Sequence, residues 1–247
     1  MWDIYDELIE GIPEGLKVTS YVSGSNWTLI RAGGLCGTAM TVLGHNAVDR
    51  LPVDLDNATL KETAALAKSW NFRVATIGMA AINAYYNTMD NARALGHQDD
   101  KDEQGKNAFD YMVDSLAGKK VAMIGHFPNI ERLTEGKADL KILERVPSGG
   151  DYPDSACEYI LPESDAVIIT GSAFTNKTMP RLLELSKNAM TCVVGPTTPV
   201  SSILFKYGVD LISGFCSLDP DASERAVRQG VRRGIFKTGT MVNCDRK

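Results

Sequence analysis

Four residues with reactive or charged side chains follow short apolar stretches of this sequence. They are His126, Glu144, Asp151 and Lys177. A histidine can transfer protons near neutral pH, a lysine can neutralise an oxyanion, and a carboxylate can bond hydroxyl groups or act as a general base. These residue types together predict a catalytic or binding site for a small polar molecule.

Small residues accompany these four at the ends of the same apolar stretches. Glycine lets the main chain approach a ligand closely, and consecutive amides can hold an anionic or carbonyl oxygen. Any tight turn also needs small residues, but their recurrence at several stretches favours binding. The expected ligand-binding residues are Gly125, Phe127, Thr170, Gly171, Ser172, Asn176, Thr178, Gly195, Pro196 and Thr197.

The stretch "KKVAMIGHF", residues 119–127, begins like the first strand of a dinucleotide-binding sheet but lacks its glycine-rich loop. Phe127 and Pro128 add bulk where a pyrophosphate needs bare main chain, and Pro128 has no amide proton. Glu144 has the position of an acid that bonds a ribose, which alone is a weak signal. The sequence therefore carries no NAD fingerprint, and its cofactor stays unknown, with a metal ion or a chelated metal as candidates.

A direct metal site has no clear motif in this sequence. There is no HExxH and no CxxC, and the chain has only three histidines. Structural zinc sites and metalloproteases depend on such closely spaced ligands. The metal ligands are therefore left unassigned.

The elements that must position these residues form two patterns. From residue 105 to 247, nearly continuous apolar stretches alternate with helical patterns, as in strands buried on both faces of a parallel sheet. This predicts an α/β, Rossmann-like doubly wound sheet. In such sheets ligands bind beyond the carboxyl ends of the strands, so we expect the residues above to converge there.

Residues 1–104 predict a smaller α+β domain. An amphipathic helix at 2–11 precedes three short segments separated by glycine and then two helices, which indicates an antiparallel sheet covered by helices. The polar segment 88–106 carries an acidic run and is interpreted as a surface linker. Asn83 lies in the middle of the second helix, where asparagine is unfavourable, so its side of the helix either is solvated or faces the cleft between the domains.

The composition is that of an ordinary globular protein, with 44% hydrophobic and 23% charged residues. A net charge of -5 provides no positive electrostatic potential that would attract phosphate groups, which argues against nucleic acid and a membrane surface as partners. No stretch approaches the roughly 20 apolar residues of a membrane span. Five widely separated cysteines without a CxxC pair indicate reduced thiols and a cytoplasmic location. A homo-oligomer is compatible with these features.

The segments "IGHFPNIERL", "LKILERVPSGGDYP", "ILPESDAVIITGSAFTNKTMPRLLELSKNA" and "VVGPTTPVSSILFKYGVD" resemble the prokaryotic family of putative heavy-metal chelation proteins. "GLCGTAM" and "IGMAAINAYYN" resemble the usual partner domain of that family. The resemblance implies an enolase N-terminal-like domain followed by a Rossmann-like domain, with the site where they meet. The resemblance implies that four of the residues above occupy motif positions of the family: His126, Glu144, Asp151 and Lys177. It also implies a role in handling metal-chelating molecules that are siderophore-, pterin- or flavin-like.

Three functions follow from these observations as hypotheses. The first is binding of a small metal-chelating metabolite in the interdomain cleft, and the sequence leaves open whether the metabolite is also condensed or hydrolysed. The second is a non-catalytic metal or metallophore binding protein. The third is a nucleoside or S-adenosylmethionine-binding, methyltransferase-like protein, although its glycine-rich first loop is missing.

Overall fold

The computed structural model describes residues 2–43, 53–98, 108–128 and 130–247. Within these residues the chain forms a three-stranded antiparallel sheet and a seven-stranded, mostly parallel sheet. The prediction of a smaller α+β unit followed by a Rossmann-like α/β unit is confirmed. The acidic run of the predicted linker lies outside the described residues.

The N-terminal half pairs its three strands in the order β1-β2-β3 and covers them with helices. Its elements are α1 (Asp3–Glu10), β1 (Val18–Ser23), β2 (Trp27–Ala32), β3 (Leu35–Met40), α2 (Leu60–Ala65), α3 (Phe72–Tyr86) and α4 (Met89–Ala94). Helix α2 begins with a capping box, in which Thr59 and Glu62 bond each other's main-chain amides. The interpretation of 88–106 as linker is wrong at its start, because α4 occupies it with Thr88 as N-cap.

The C-terminal half alternates strands with short helices. Its elements are α5 (Ala108–Met112), β4 (Lys120–Ile124), α6 (Ile130–Thr134), β5 (Asp139–Glu144), β6 (Tyr152–Pro153), α7 (Cys157–Ile160), β7 (Ala166–Thr170), α8 (Ser172–Thr175), α9 (Met179–Leu185), β8 (Met190–Val194), α10 (Ile203–Lys206), β9 (Leu211–Ser217), α11 (Pro220–Arg228) and β10 (Gly239–Asp245).

The large sheet has the strand order β10-β9-β8-β7-β4-β5-β6. Strands β4 to β9 pair in parallel, and β10 joins β9 antiparallel at the edge. The chain moves outward from β4 to β6 and then returns to β7 on the other side of β4. The topological switch point therefore lies between the carboxyl ends of β4 and β7.

The two faces of the large sheet pack against different partners. Val121, Met123 and Ile142 point to an outer core that they share with α5. Ala122 and Leu143, the alternate residues of the same strands, belong to the main core that includes α1 and α3. We call these the outer face and the inner face, and the N-terminal half packs on the inner face.

None of the helices in the described parts of the chain is long and apolar enough to cross a lipid bilayer.

Candidate functional site

The carboxyl ends of the central strands form a continuous row of loops. Gly125 follows β4 with a φ of 96°, a conformation that favours glycine, and a Cβ there would lie 3.2 Å from the Cβ of Thr170 at the end of β7. The Phe127 ring lies close to Gly125 and to Gly195, which follows β8. The predicted binding residues Gly125, Phe127, Thr170 and Gly195 are therefore neighbours at the switch point.

His126 is held between two carboxylates. Its Nδ1 lies 3.0 and 3.1 Å from the two oxygens of Asp151, and its Nε2 lies 2.8 Å from Oε1 of Glu131. The Asp151 side chain is only 4% exposed, whereas that of Glu131 is 56% exposed. The hydrogen bond to Asp151 is the main reason why the pKa of His126 is raised. The structure therefore favours an imidazolium at this position.

Asp151 is fixed by the turn that precedes it. Its carboxylate accepts a hydrogen bond from the main-chain amide of Ser148 at 3.1 Å, and its own amide donates to the Ser148 carbonyl at 3.1 Å. Burial is the largest influence on the pKa of Asp151 and raises it, but the bonds from His126 and Ser148 together reverse this effect. The pKa is lowered as a result, so this carboxylate stays ionised.

Glu144 joins the ends of β4 and β5. Its two carboxylate oxygens accept main-chain amides, one from His126 at 2.8 Å and one from Arg145 at 2.9 Å. Each oxygen has further acceptor capacity, but the observed contacts are structural. Arg145 in turn places its guanidinium 5.6 Å from the ring centre of Phe72, at the start of α3. The end of β5 therefore touches the N-terminal half.

Lys177 lies on the inner face and has an unusual environment. It is the one residue other than glycine with a positive φ, 70°, in the described part of the chain. Its ammonium donates to the Thr175 carbonyl at 2.7 Å and lies 5.9 Å from the ring centre of Tyr5 in α1. Burial lowers the pKa of Lys177 to about 8. No ion pair with a carboxylate is found for it among the described residues.

The loop before α9 is stabilised by Asn176. Its Oδ1 accepts hydrogen bonds from the amide and from the hydroxyl of Thr178, at 3.1 and 2.6 Å. Thr178 occupies the N-cap position of α9, but its side chain bonds no helix amide. Ser172 opens α8 and is buried, with its amide 3.4 Å from the Thr170 hydroxyl.

Asn83 connects the two halves of the chain. It is fully buried, and its Nδ2 donates to the Thr38 carbonyl at 2.8 Å and to the Pro196 carbonyl at 3.2 Å. Thr197 accepts a hydrogen bond from the main-chain amide of Met40 at 2.8 Å. Of the two alternatives for Asn83, solvation is excluded. The loop after β8 therefore packs directly on β3 and α3.

Gly171 allows a close approach within the C-terminal half. A Cβ at this position would lie 2.6 Å from both the amide nitrogen and the hydroxyl oxygen of Thr198. The loops after β7 and β8 can therefore meet only because residue 171 has no side chain.

The predicted site residues thus form two sets. His126, Glu144 and Asp151 meet at the ends of β4 and β5, whereas Lys177 and Asn83 lie where the two halves of the chain contact each other. No hydrogen bond or ion pair joins Lys177 to the His126 set within the described residues. The roles predicted for these side chains stay predictions.

Two charged residues at the site had no distinct signal in the sequence. Glu131 resembles any exposed helical glutamate, and Arg145 follows Glu144 in a loop without periodicity. Glu131 is five residues from His126 in the chain, and this proximity was the only indication in the sequence. In the parts of the chain with described coordinates, no group of three or more histidine, cysteine or acidic residues could hold a metal ion.

Two family models match this chain, and both are described as "Putative heavy-metal chelation". The DUF364 model matches residues 107–244 and the DUF4213 model matches residues 5–86. An uncharacterized protein of Methanocaldococcus jannaschii is 32% identical over 231 residues, which cover 88% of this chain and 85% of that protein.

Two solved structures share the fold. A DUF364-family protein of unknown function from Desulfitobacterium hafniense has a TM-score of 0.92 and 40% identity, and the match covers 100% of this chain and 99% of the other. A DUF364-family protein of unknown function from Pyrococcus horikoshii has a TM-score of 0.79 with coverage of 98% for both chains. Its identity is 22%, so this similarity concerns the fold alone.

Proposed function

The chain belongs to the DUF364 family described as "Putative heavy-metal chelation", and from this premise we propose that it binds a small organic metal chelator where its two halves meet. The ligand class is siderophore-, pterin- or flavin-like. The proposed site lies on the inner face, at the loops that follow β7 and β8, beneath α1 and α3.

The observation that carries this proposal is the state of Lys177. Lys177 is partly desolvated and pairs with no carboxylate in the described ranges of the chain, which is costly, and a residue other than glycine at a φ of 70° adds strain. Such features concentrate at functional sites, where a ligand offsets them. Strong metal chelators carry anionic oxygen donors, so a desolvated ammonium is complementary to them.

The surroundings of Lys177 suit a ligand with a planar ring. The Tyr5 ring lies beneath the ammonium, and its centre is 5.4 Å from that of Trp2, which in turn is 5.8 Å from that of Trp70. Trp70 is 64% exposed. Tyr5 itself is buried, so the exposed ring of Trp70 and the half-buried ring of Trp2 are the ones that can border a planar ring of the kind found in pterins, flavins and catechols. They also provide a fluorescence signal for binding.

The test is calorimetric titration of the parent protein with catecholate, hydroxamate, pterin and flavin ligands, each with and without bound Fe³⁺, and with the metal ions alone. We expect one chelator class to bind and to quench tryptophan fluorescence. At 100 times its dissociation constant that ligand raises the free energy of unfolding by about 2.7 kcal/mol. Lys177→Met should weaken its binding about tenfold or more.

The matched control is Lys187→Met, which removes an exposed lysine from the same half of the chain. It should bind the ligand like the parent. Equal binding by Lys177→Met and the parent would contradict the proposed site. Stoichiometric binding of bare metal ions, with no binding of any chelator, would instead favour direct metal binding.

A further inference from the structure

A second concave surface lies on the outer face of the large sheet, away from Lys177. It is an open groove of about 740 Å³ between α6, β5 and the loop at 148–152. Its floor includes Leu140 and Ile142, which pack in or against the outer core. The N-terminal half packs on the opposite face. The groove is therefore a separate feature from the site proposed above.

His126 projects into this groove as an oriented hydrogen-bond donor. The nearly buried carboxylate of Asp151 holds Nδ1, and the main-chain amide of His126 is held by Glu144. With Nδ1 and the main-chain amide engaged by carboxylates, Nε2 is the ring nitrogen that can contact another molecule. A buried acid that fixes an imidazole in this way determines which nitrogen faces a ligand.

Glu131 is the present partner of that nitrogen, at 2.8 Å. Its side chain is 56% exposed and comes from the short helix α6. Exposed ion pairs are weak, because solvent screens them and both side chains lose freedom. An incoming acceptor can therefore replace the Glu131 carboxylate at little cost, while the Asp151 contact stays intact.

The other charged groups of the groove define what can replace Glu131. The residues that line it include the basic His126 and Arg132 and the acidic Glu131, Glu135 and Asp151. Because the displaced Glu131 stays attached to α6, each ligand carboxylate adds a negative charge beside Glu135 and Asp151, so a monocarboxylate is repelled less than a ligand with two or more. Leu140 and Ile142 provide apolar contact for the rest of such a molecule.

We propose that the groove binds a small organic monocarboxylate with an apolar body, which bonds Nε2 of His126 in place of Glu131. Glu131 acts as an internal competitor that occupies the donor when the groove is empty. The ligand carboxylate accepts a charge-assisted hydrogen bond from the imidazolium and packs its apolar part on the floor of the groove. No covalent bond is formed or broken, so the site is one of binding.

The experiment uses 4-phenylbutyrate as the probe and 4-phenylbutyramide as its uncharged counterpart. Binding is followed by the imidazole NMR signals of the full-length protein and by calorimetry. We expect the carboxylate to bind the parent and to bind Glu131→Gln about threefold more tightly, since an exposed ion pair no longer competes. His126→Gln should lose at least tenfold in affinity, and the amide should bind correspondingly weakly.

Glu163→Gln, which changes an exposed glutamate outside the groove, is the matched control and should behave like the parent. Weaker or unchanged carboxylate binding by Glu131→Gln would overturn the competitor role. Two results would overturn the site itself. One is equal affinity of the parent for the acid and the amide, and the other is that the acid binds neither the parent nor Glu131→Gln. The Glu131→Gln result tests the proposed site even if His126→Gln does not fold.

Discussion

Asp151 and His126 are 25 residues apart in the chain, yet an Asp151 oxygen lies 3.0 Å from Nδ1 of His126. The carboxyl ends of β4 and β5 are adjacent, and the Ser148–Asp151 turn directs the carboxylate back toward the end of β4. The pair therefore results from sheet order combined with one turn. It lies beside the topological switch point, where open α/β sheets bind their ligands.

Asp151→Asn should lower the pKa of His126 toward its ordinary value. The hydrogen bond to the Asp151 carboxylate is the largest cause of the raised pKa, and an amide cannot replace its charge. The measurement is an NMR titration of the histidine ring signals, with His126 assigned through His126→Gln. Asp154→Asn, which removes an exposed carboxylate that contacts Arg145, should leave the pKa of His126 unchanged.

The same pair predicts how stability depends on pH. The pKa of His126 is raised in the folded state, so protonation of His126 stabilises the fold. This stabilisation is complete below the pKa of the unfolded state, about 6.5, and is lost as pH rises through the pKa of the folded state. The pKa of Asp151 is lowered, so its contribution is lost only as pH falls through that lower value. Urea unfolding of parent and His126→Gln at several pH values should show their difference shrinking toward alkaline pH. A difference that grows above neutrality would contradict the assignment.

Much of the fold could be predicted from the sequence, because buried strands and amphipathic helices leave periodic patterns. The apolar stretches from which the parallel sheet is predicted are those of β4, β5, β7, β8 and β9. The two-residue strand β6 and the mixed edge strand β10 lack such a pattern, because short or partly exposed strands need few apolar residues. The helix at the start of the predicted linker was missed for a similar reason, since half of the six residues of α4 are polar and only Ala92 is buried.

The candidate site was predictable in its location but not in its pairings. Parallel strands bring their carboxyl ends to one edge, so Gly125 and Thr170 could be expected to meet. The side of the sheet to which each loop turns depends on tertiary contacts, such as Lys177 with Tyr5. No local pattern encodes these contacts, and for that reason His126 and Lys177 belong to different faces.

Lys177→Gly should be more stable than Lys177→Met by about 1 kcal/mol. Both changes remove the buried charge, but only glycine relieves the strain of the left-handed conformation, which costs about 1–2 kcal/mol and is partly offset by the greater chain entropy of glycine. Guanidinium unfolding of the two variants measures the difference. Glycine at Lys187, which has no positive φ, should give no gain over methionine there.

Lys177 should also destabilise the parent protein less as pH rises above about 8. Because burial lowers its folded pKa to about 8 while the unfolded value is about 10.4, the unfolded chain binds more protons between these values. Stability relative to Lys177→Met therefore increases with pH across this interval. Unfolding of both proteins at pH 7.5, 8.5 and 9.5 measures the trend. A constant difference would show that the ammonium is not desolvated.

Gly171→Ala should destabilise the protein by about 1–3 kcal/mol. The new Cβ would lie 2.6 Å from the amide nitrogen and the hydroxyl oxygen of Thr198, and relief requires the loops after β7 and β8 to separate. The loop after β8 also carries the contacts of Thr197 and Pro196 to the N-terminal half. Gly171→Ala should therefore lower both the free energy of unfolding and the affinity for a chelator at the proposed site. Gly150→Ala is the control, because no atom lies within 4 Å of its Cβ position. If urea unfolding gave both variants the stability of the parent, the close packing of these two loops would not be a constraint on the site.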